Sequence, residues 1–147
     1  MKKRPFSPKE FKEIYSKVPR VTASLVIKAG GGKVLTLRSL SQWHNKWHLP
    51  GGTILYNETV RGAISRVAKE ELGVKVKFLK LLGWIEYPSE KKERGFGRSI
   101  DMIFLCESNS SKFKLSDEIS KAGVFKKLPK NTIAEQAQFL KTNKILN

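Results

Sequence analysis

An α/β fold, an α/β/α sandwich around a mixed β-sheet, is what this sequence predicts. Three observations carry that reading. Segments with strand-like apolar patterning recur at 21–28, 33–38, 74–87 and 98–107. Segments at 8–17, in the stretch ending at Gly73, and around 132–142 repeat their apolar residues at helical spacing. Strands mixed with two or three helices pack most simply as helices layered on a sheet. A chain of 147 residues with 39% apolar content can bury a real core. It has no internal repeat or linker, so a single domain over 1–147 is expected.

Ser7-Pro8 reads as a helix start, with Ser7 as cap and Pro8 in the first turn. That helix, over 8–17, would bury Phe11, Ile14 and Tyr15 and stop before Pro19. Residues 21–28 and 33–38 follow as two strands, with Gly30-Gly31-Gly32 as the hairpin turn between them. This glycine run with Lys33 lacks the spacing and the following hydroxyl of a Walker loop. Residues 39–48 make a polar, aromatic loop that leads into Leu49-Pro50-Gly51-Gly52. After the next helix comes a strand over 74–87, a charged loop at 88–97 and a returning strand at 98–107. Residues 108–118 are polar, Phe125 lies in a short strand, and the last helix would bury Ile133, Ala137 and Leu140.

Composition narrows the class of function. No apolar run approaches the roughly 20 residues of a membrane span, and the basic N-terminus lacks the apolar core of a secretory signal. The single cysteine, Cys106, has no partner for an intramolecular disulfide and reads as a small core residue. A cytoplasmic protein without a membrane partner is expected. The net charge of +16 suits a polyanionic ligand. The lysines are spread along the chain, with no aromatic-interleaved or zinc-finger spacing. A phosphorylated small molecule is therefore favoured over nucleic acid, and a homodimer is left open.

The richest stretch runs from Gly52 to Val74, GTILYNETVRGAISRVAKEELGV. Asn57 and Thr59 are candidate caps, and Gly73 is placed to end the helix. Val60, Ala63, Ile64, Val67 and Ala68 form one apolar stripe. Glu71 falls almost in line with Val60, Ile64 and Val67, where an ionised carboxylate is costly without a cation or donors. Glu70 and Glu71 also lie near the helix C-terminus, where the macrodipole disfavours negative charge. A divalent cation would relieve these penalties, and carboxylates suit Mg²⁺. Against this stands a solvated helix end in which Arg66 pairs with Glu70 one turn on.

The spacing of Gly52, Glu58, Arg66, Glu70, Glu71 and Gly73 resembles the Nudix box, G-x5-E-x7-R-E-U-x-E-E-x-G-U with U a bulky aliphatic residue. The box thus spans residues 52–74. Val67 stands where the pattern has its first glutamate after the arginine, and Ala68 where it has a bulky aliphatic residue. The approach WHLPGG and the late segment SDEISKAGVFKKLP also look Nudix-like. So does the order of elements over roughly residues 20–142. The N-terminal third is similar to GDP-mannose mannosyl hydrolases, including an arginine before Pro-Gly-Gly, matched by Arg38, and an altered box. That subgroup's catalytic histidine has no match here, since the only histidines are His44 and His48.

The resemblance implies a divalent-metal-dependent hydrolase of a nucleoside diphosphate derivative, such as a nucleotide-sugar, using Mg²⁺ or Mn²⁺. Glu70 and Glu71 would be metal ligands, with the Gly51 carbonyl as a third, and Arg66 would orient the glutamates. Arg66, Glu70 and Glu71 are the catalytic candidates. Glu58 would support the loop–helix junction. Arg38 is a phosphate-binding candidate because its planar fork matches phosphate oxygens. Trp43, Trp47 or Trp84 could stack on a base, though a core role is commoner for tryptophan. Val67 cannot act as a general base. Glu90, Glu93 and Asp101 are candidates, with Glu86, Asp117 and Glu118 behind them. Asp101 interrupts the apolar run RSIDMIFLC, so it needs either a partner or a solvent-facing position. The rival reading is a degenerate module that binds a nucleotide or RNA without turnover.

Overall fold

Ser7 starts the first helix, α1 (Pro8–Tyr15), through a reciprocal cap. Its hydroxyl accepts from Glu10 N at 3.2 Å, and Glu10 Oε1 accepts from Ser7 N at 3.0 Å. The computed structural model describes residues 4–39 and 42–147; Leu40 and Ser41, in the loop at 39–48, and Met1 to Lys3 lie outside the described residues. Phe11, Ile14 and Tyr15 are only half-buried. The helix rests on the side chain of Arg20 and on Phe96, not on the apolar core.

Two strands follow, β1 (Arg20–Ala29) and β2 (Gly32–Arg38), and pair antiparallel. Gly30 and Gly31 turn the chain at φ of 53° and 81°, the mirror-image turn that matches strand twist and demands glycine-like freedom. The remaining strands are β3 (Gly51–Thr53), β4 (Val76–Glu86), β5 (Ser99–Ser108) and β6 (Ile119–Phe125). The sheet order is β4-β5-β1-β2-β6, with β3 paired to β1. Among these pairings β1–β5 is parallel and the others antiparallel, so the sheet is mixed as expected.

One edge of β1 is shared. Near the hairpin it pairs with β2 through Lys28 and Ala29. Further along it pairs with β3, where Thr22, Ala23 and Ser24 face Thr53, Gly52 and Gly51. The segment before β3 bridges instead to β2, where His48 pairs with Thr36. Strands β1 and β2 therefore splay, and the Trp47–Thr53 chain wedges between them. A Cβ on Gly51 would lie 2.6 Å from Ser24 Oγ and 2.8 Å from the Ala23 carbonyl oxygen, so only glycine fits there.

The other helices are α2 (Val60–Leu72), α3 (Glu90–Arg94) and α4 (Ala134–Thr142). Thr59, not Asn57, caps α2, accepting from Gly62 N at 3.0 Å. Gly73 closes α2 in the left-handed region at φ 66°. Ala63, Ile64, Val67, Ala68 and Leu72 are buried, whereas Val60 is largely exposed. This face packs on Ala23, Leu25, Ile27 and Phe104 on one side of the sheet. Val26, Leu35, Ile85, Ile103 and Leu140 form the core of the opposite side, beneath α4. Of the three residues expected to be buried in the last helix, Ile133 and Leu140 are, while Ala137 is half-buried and Gln136 takes an inner position. The loop expected at 88–97 contains the short α3, whose sequence EKKER consists of good helix formers. No helix of the described residues is long and apolar enough to cross a membrane.

Candidate active site

Burial of α2 against the sheet turns its last turn toward the β3 wedge. Gly51 N donates to Glu71 Oε1 at 3.1 Å. Arg38, at the end of β2, donates from Nη2 to the Gly51 carbonyl at 3.1 Å and lies 4.0 Å from Glu71 Oε2. Burial pushes the Glu71 carboxyl up to about 7, against the opposing pull of Arg38 and the Gly51 N–H. The in-line position read from the helix period is thus a half-buried one, with 12% of the Glu71 side chain exposed.

Arg66 fastens the base of the site. Its Nε and Nη2 reach Glu58 at 2.5 and 2.9 Å, and Nη2 also donates to the Thr53 carbonyl at 2.7 Å. Its Nη1 lies 3.3 Å from Glu70 Oε2. Glu58 in turn accepts from Leu55 N at 2.9 Å. Arg66 therefore ties α2, the loop before it and β3 into one unit. The Arg66–Glu70 pair of the solvated-end reading is present, but within a partly buried cluster.

Glu70, Glu71, Arg38, Arg66 and Val67 line a cavity of about 980 Å³ between α1, the β3 wedge, α2 and α3. The chain has 7 arginines and 22 lysines. Five of the arginines line this cavity (Arg4, Arg20, Arg38, Arg66 and Arg94), and no lysine of the described residues does. The same cavity holds Glu90, Asp101 and Glu118. Among the described residues, no three His, Cys, Asp or Glu side chains gather as a metal-binding group. Val67 is buried, and its Cγ2 lies 3.6 Å from a Cβ built on Gly52. At the junction of α2 and β3 the hard donors are Glu70, Glu71 and the Gly51 carbonyl. This set suits Mg²⁺ or Mn²⁺, with water and substrate oxygens completing the coordination. A cation would also offset the desolvation cost of the half-buried Glu71 carboxylate.

The three base candidates have different surroundings. Asp101 does not face solvent. Its parallel neighbours on β1 meet it with hydroxyls, Thr22 Oγ1 and Ser24 Oγ donating at 2.8 Å each, and the Tyr87 hydroxyl donates as well. Burial raises the Asp101 carboxyl despite these bonds. Gln136 Nε2 donates to the Tyr87 oxygen at 3.0 Å, and Gln136 Oε1 accepts from Leu49 N at 2.7 Å. That chain links Asp101 back to the wedge. Glu90 accepts from Ser99 N at 2.8 Å and Ser99 Oγ at 2.9 Å, and also engages Arg20 and Arg94. Glu93 is an exposed acceptor for Trp43 N at 3.0 Å. Outside this set, Glu118 lines the cavity, pairs with Arg4 and lies close enough to raise the Glu71 carboxyl further. Glu86 pairs with Arg98 at an exposed position, and Asp117 is exposed.

Trp43 lines the cavity, its indole N–H donating to Ser89 Oγ at 3.2 Å. Trp47 does not line it. Its ring packs on Phe125 at 4.8 Å. Trp84 is exposed on β4, away from the cavity. His44 is exposed and His48 buried, so the two do not form a metal pair. His48 donates from Nδ1 to the Leu49 carbonyl at 2.8 Å, and burial depresses its pKa to about 3. The sequence reading missed Arg20, Arg94, Tyr87 and Gln136 as cavity residues. Gln136 had a signal, a polar side chain within an apolar helix face. Arg20 and Arg94 had none, because only the fold brings α3 to the start of β1.

Residues 18–141 match the family profile described as NUDIX domain. The Low-salt glycan biosynthesis protein Agl8 of Haloferax volcanii is 42% identical over 78 residues, 53% of this chain and 50% of that protein. The ADP-ribose pyrophosphatase of Methanocaldococcus jannaschii is 29% identical over 107 residues, 73% of this chain and 62% of that protein. The chain thus spans about half to two thirds of these relatives. The solved MutT protein from Methanosarcina mazei Go1 superposes with a TM-score of 0.73 at 19% identity, covering 86% of this chain and 94% of that one.

Proposed function

The chain belongs to the Nudix family, and we propose that it is a divalent-metal-dependent hydrolase of a nucleoside diphosphate derivative, a nucleotide-sugar by preference. One observation carries the proposal. The Glu70–Glu71 pair opens into a cavity whose described cations are all arginines, in a chain whose positive charge is mostly lysine. Guanidinium forks match phosphate oxygens bidentately, whereas lysines serve solubility as well as any ligand. That contrast favours a small phosphorylated substrate over a nucleic-acid surface. The glycan-biosynthesis name of the Haloferax relative and the likeness of the N-terminal third to GDP-mannose mannosyl hydrolases support a nucleotide-sugar.

Glu70, Glu71 and the Gly51 carbonyl would hold the cation. When bound, Mg²⁺ or Mn²⁺ supplies neutralisation of the diphosphate and a lowered pKa for water. The rest is work for this chain's own residues. Arg66 holds the glutamates at the loop–helix junction. Arg38 sits beside Gly51 and Glu71, positioned to take a diphosphate oxygen. Trp43 offers the cavity an aromatic face. Val67 leaves the general base elsewhere. Asp101 and Glu90 are occupied by several donors each, which holds their oxygens in structural bonds. Glu118 lines the cavity with 29% of its side chain exposed, and it is the carboxylate we assign to proton removal from the attacking water.

The test is hydrolysis of a panel of nucleoside diphosphate derivatives with Mg²⁺ or Mn²⁺. Release of a nucleoside mono- or diphosphate that needs metal, is lost in Glu71→Gln and falls by about 10²-fold or more in Glu118→Gln is the expected result. Tight nucleotide binding with no turnover on any substrate would instead favour the binding-only reading. The buried Val67, in the place of the family's first glutamate after the arginine, is the observation behind that rival.

A further inference from the structure

Arg20 and Arg94 meet over a single carboxylate. Glu90 Oε2 lies 3.3 Å from Arg20 Nη2 and 3.4 Å from Arg94 Nε. Both arginine side chains are mostly buried, at 13% and 16% exposure. Glu90 also spends its oxygens on Ser99 N and Ser99 Oγ. Arg94 Nε is close enough to Glu90 for an ion pair but lacks hydrogen-bond geometry, and it is a buried donor with no hydrogen-bond partner. Burial, and then the neighbouring Arg20, push the Arg94 guanidinium down to about 10. Two guanidiniums share the Glu90 carboxylate and the Arg94 Nε–H is left without an acceptor, at a cost that an arriving anion would remove.

The cluster is built as a site. Phe11 of α1 lies 5.2 Å from the Arg20 guanidinium and 5.7 Å from that of Arg94, so one ring contacts both cations. Arg20 Nη1 donates to Thr53 Oγ1 at 2.7 Å, which ties the cluster to the strand that carries Gly51. All of these residues line the same cavity as Glu70 and Glu71. Arg38 already serves the Gly51–Glu71 side, so this pair lies beyond it, toward α1 and α3.

Resting on the hydrolase reading above, we propose that Arg20 and Arg94 form a second anion subsite, which takes a negatively charged group on the moiety joined to the diphosphate. The group is a carboxylate, as on a sugar acid, or a further phosphate.

The experiment is calorimetric binding to the full chain in Mg²⁺, with methylene-bridged analogues of UDP-glucose, UDP-glucuronate and UTP and the same set with guanine. Wild type is expected to bind the uronate or the triphosphate roughly tenfold to a hundredfold tighter than the neutral sugar derivative, the range for a charge-assisted bond. Preference for the uronate identifies a carboxylate, and preference for the triphosphate a phosphate. Arg94→Gln should erase that preference while leaving UDP-glucose affinity and the melting temperature nearly unchanged, and Arg94→Lys should retain part of it. Equal wild-type affinities for all three ligands would overturn the subsite. So would an Arg94→Gln protein that melts lower and weakens every ligand equally, since the arginine would then only fasten α1. Metal-dependent hydrolysis persisting without any anion preference would sink this inference and leave the hydrolase reading standing; failure of every ligand to bind would sink both.

Discussion

Glu71→Gln should make the metal-free protein more stable at alkaline pH, although it removes a residue central to the site. The carboxyl is raised from 4.5 to about 7, chiefly by burial. For an acid whose folded pKa lies above its unfolded one, the folded state holds the proton over that interval. It binds more protons than the unfolded state, so stability falls as pH rises through the window from 4.5 to about 7. The loss is about 3 kcal/mol at 1.36 kcal/mol per pH unit, and it is complete above the folded pKa. Glutamine carries no such loss and can still accept from the Gly51 N–H. Urea denaturation in EDTA at about pH 4.5 and pH 8 reads the difference between variant and wild type. Asp101 is also raised by burial, so wild type alone would mix two groups, and the difference curve isolates Glu71. The two proteins should differ little from each other's trend at the acid end, with the variant gaining by up to about 3 kcal/mol at pH 8. Saturating Mg²⁺ or Mn²⁺ at pH 8 should then stabilise wild type by mass action and the variant far less. A variant less stable than wild type at pH 8 in EDTA would refute the reasoning. It would mean that the ionised carboxylate gains more from Arg38 than burial costs it.

Arg38→Ala should weaken nucleotide binding roughly tenfold to a hundredfold, the worth of a charge-assisted bond, with Arg38→Lys recovering only part. A destabilised protein with unchanged affinity would show that Arg38 serves only Gly51 and Glu71. Val67→Glu should bring no gain in turnover of nucleoside triphosphates if the base has moved, and a strong gain would defeat the Glu118 assignment. Gly51→Ala should cost about 1–3 kcal/mol in thermal or urea melts, because its Cβ meets Ser24 Oγ and the Ala23 carbonyl; an unchanged melt would show that the β3 wedge can shift. Random RNA should bind weakly at about 150 mM salt, and a steep salt slope, about 0.7 per neutralised phosphate on a log–log plot, would show that the lysine surface does bind polymer.

Local chemistry made the elements legible. The Ser7-Pro8 start, the glycine hairpin, and the Thr59 and Gly73 ends of α2 each rest on contacts a few residues apart, which the sequence states directly. The stripe on α2 also gave the inward-facing position of Glu71, because helical period fixes which side chains share a face. Three things were less visible. The wedge of β3 between β1 and β2 depends on a strand changing partners along its length, and alternation of apolar residues does not encode which neighbour a strand pairs with. The ring of hydroxyls around Asp101 depends on the parallel register that sets it opposite Thr22, a pairing between residues far apart in the chain. The roles of Trp43 and Trp47, two aromatics four positions apart in one loop, diverge because only Trp47 reaches Phe125.

The altered box acquires a physical sense from the charges around the cavity. Its lining carries Arg4, Arg20, Arg38, Arg66 and Arg94 against Glu70, Glu71, Glu90, Asp101 and Glu118. With every one of these ionised the two sets cancel, five against five. A glutamate at position 67 would tip the lining to a net −1, and it would stand one turn from Glu71 on the same buried face. A third carboxylate in that place repels the other two until a cation arrives, so it raises the affinity for metal while lowering the attraction for a diphosphate. Valine reverses that exchange. It leaves a neutral lining to which a divalent cation adds +2, a field matched to a diphosphate bridge. Metal affinity should then depend more on substrate than in a box with all its glutamates, because the substrate's own oxygens supply the anionic donors that residue 67 does not. Titrating Mn²⁺ with and without a methylene-bridged nucleoside diphosphate measures that coupling, which must appear equally in the nucleotide's affinity with and without metal. Mn²⁺ binding that is tight in the absence of nucleotide and unchanged by it would contradict the argument.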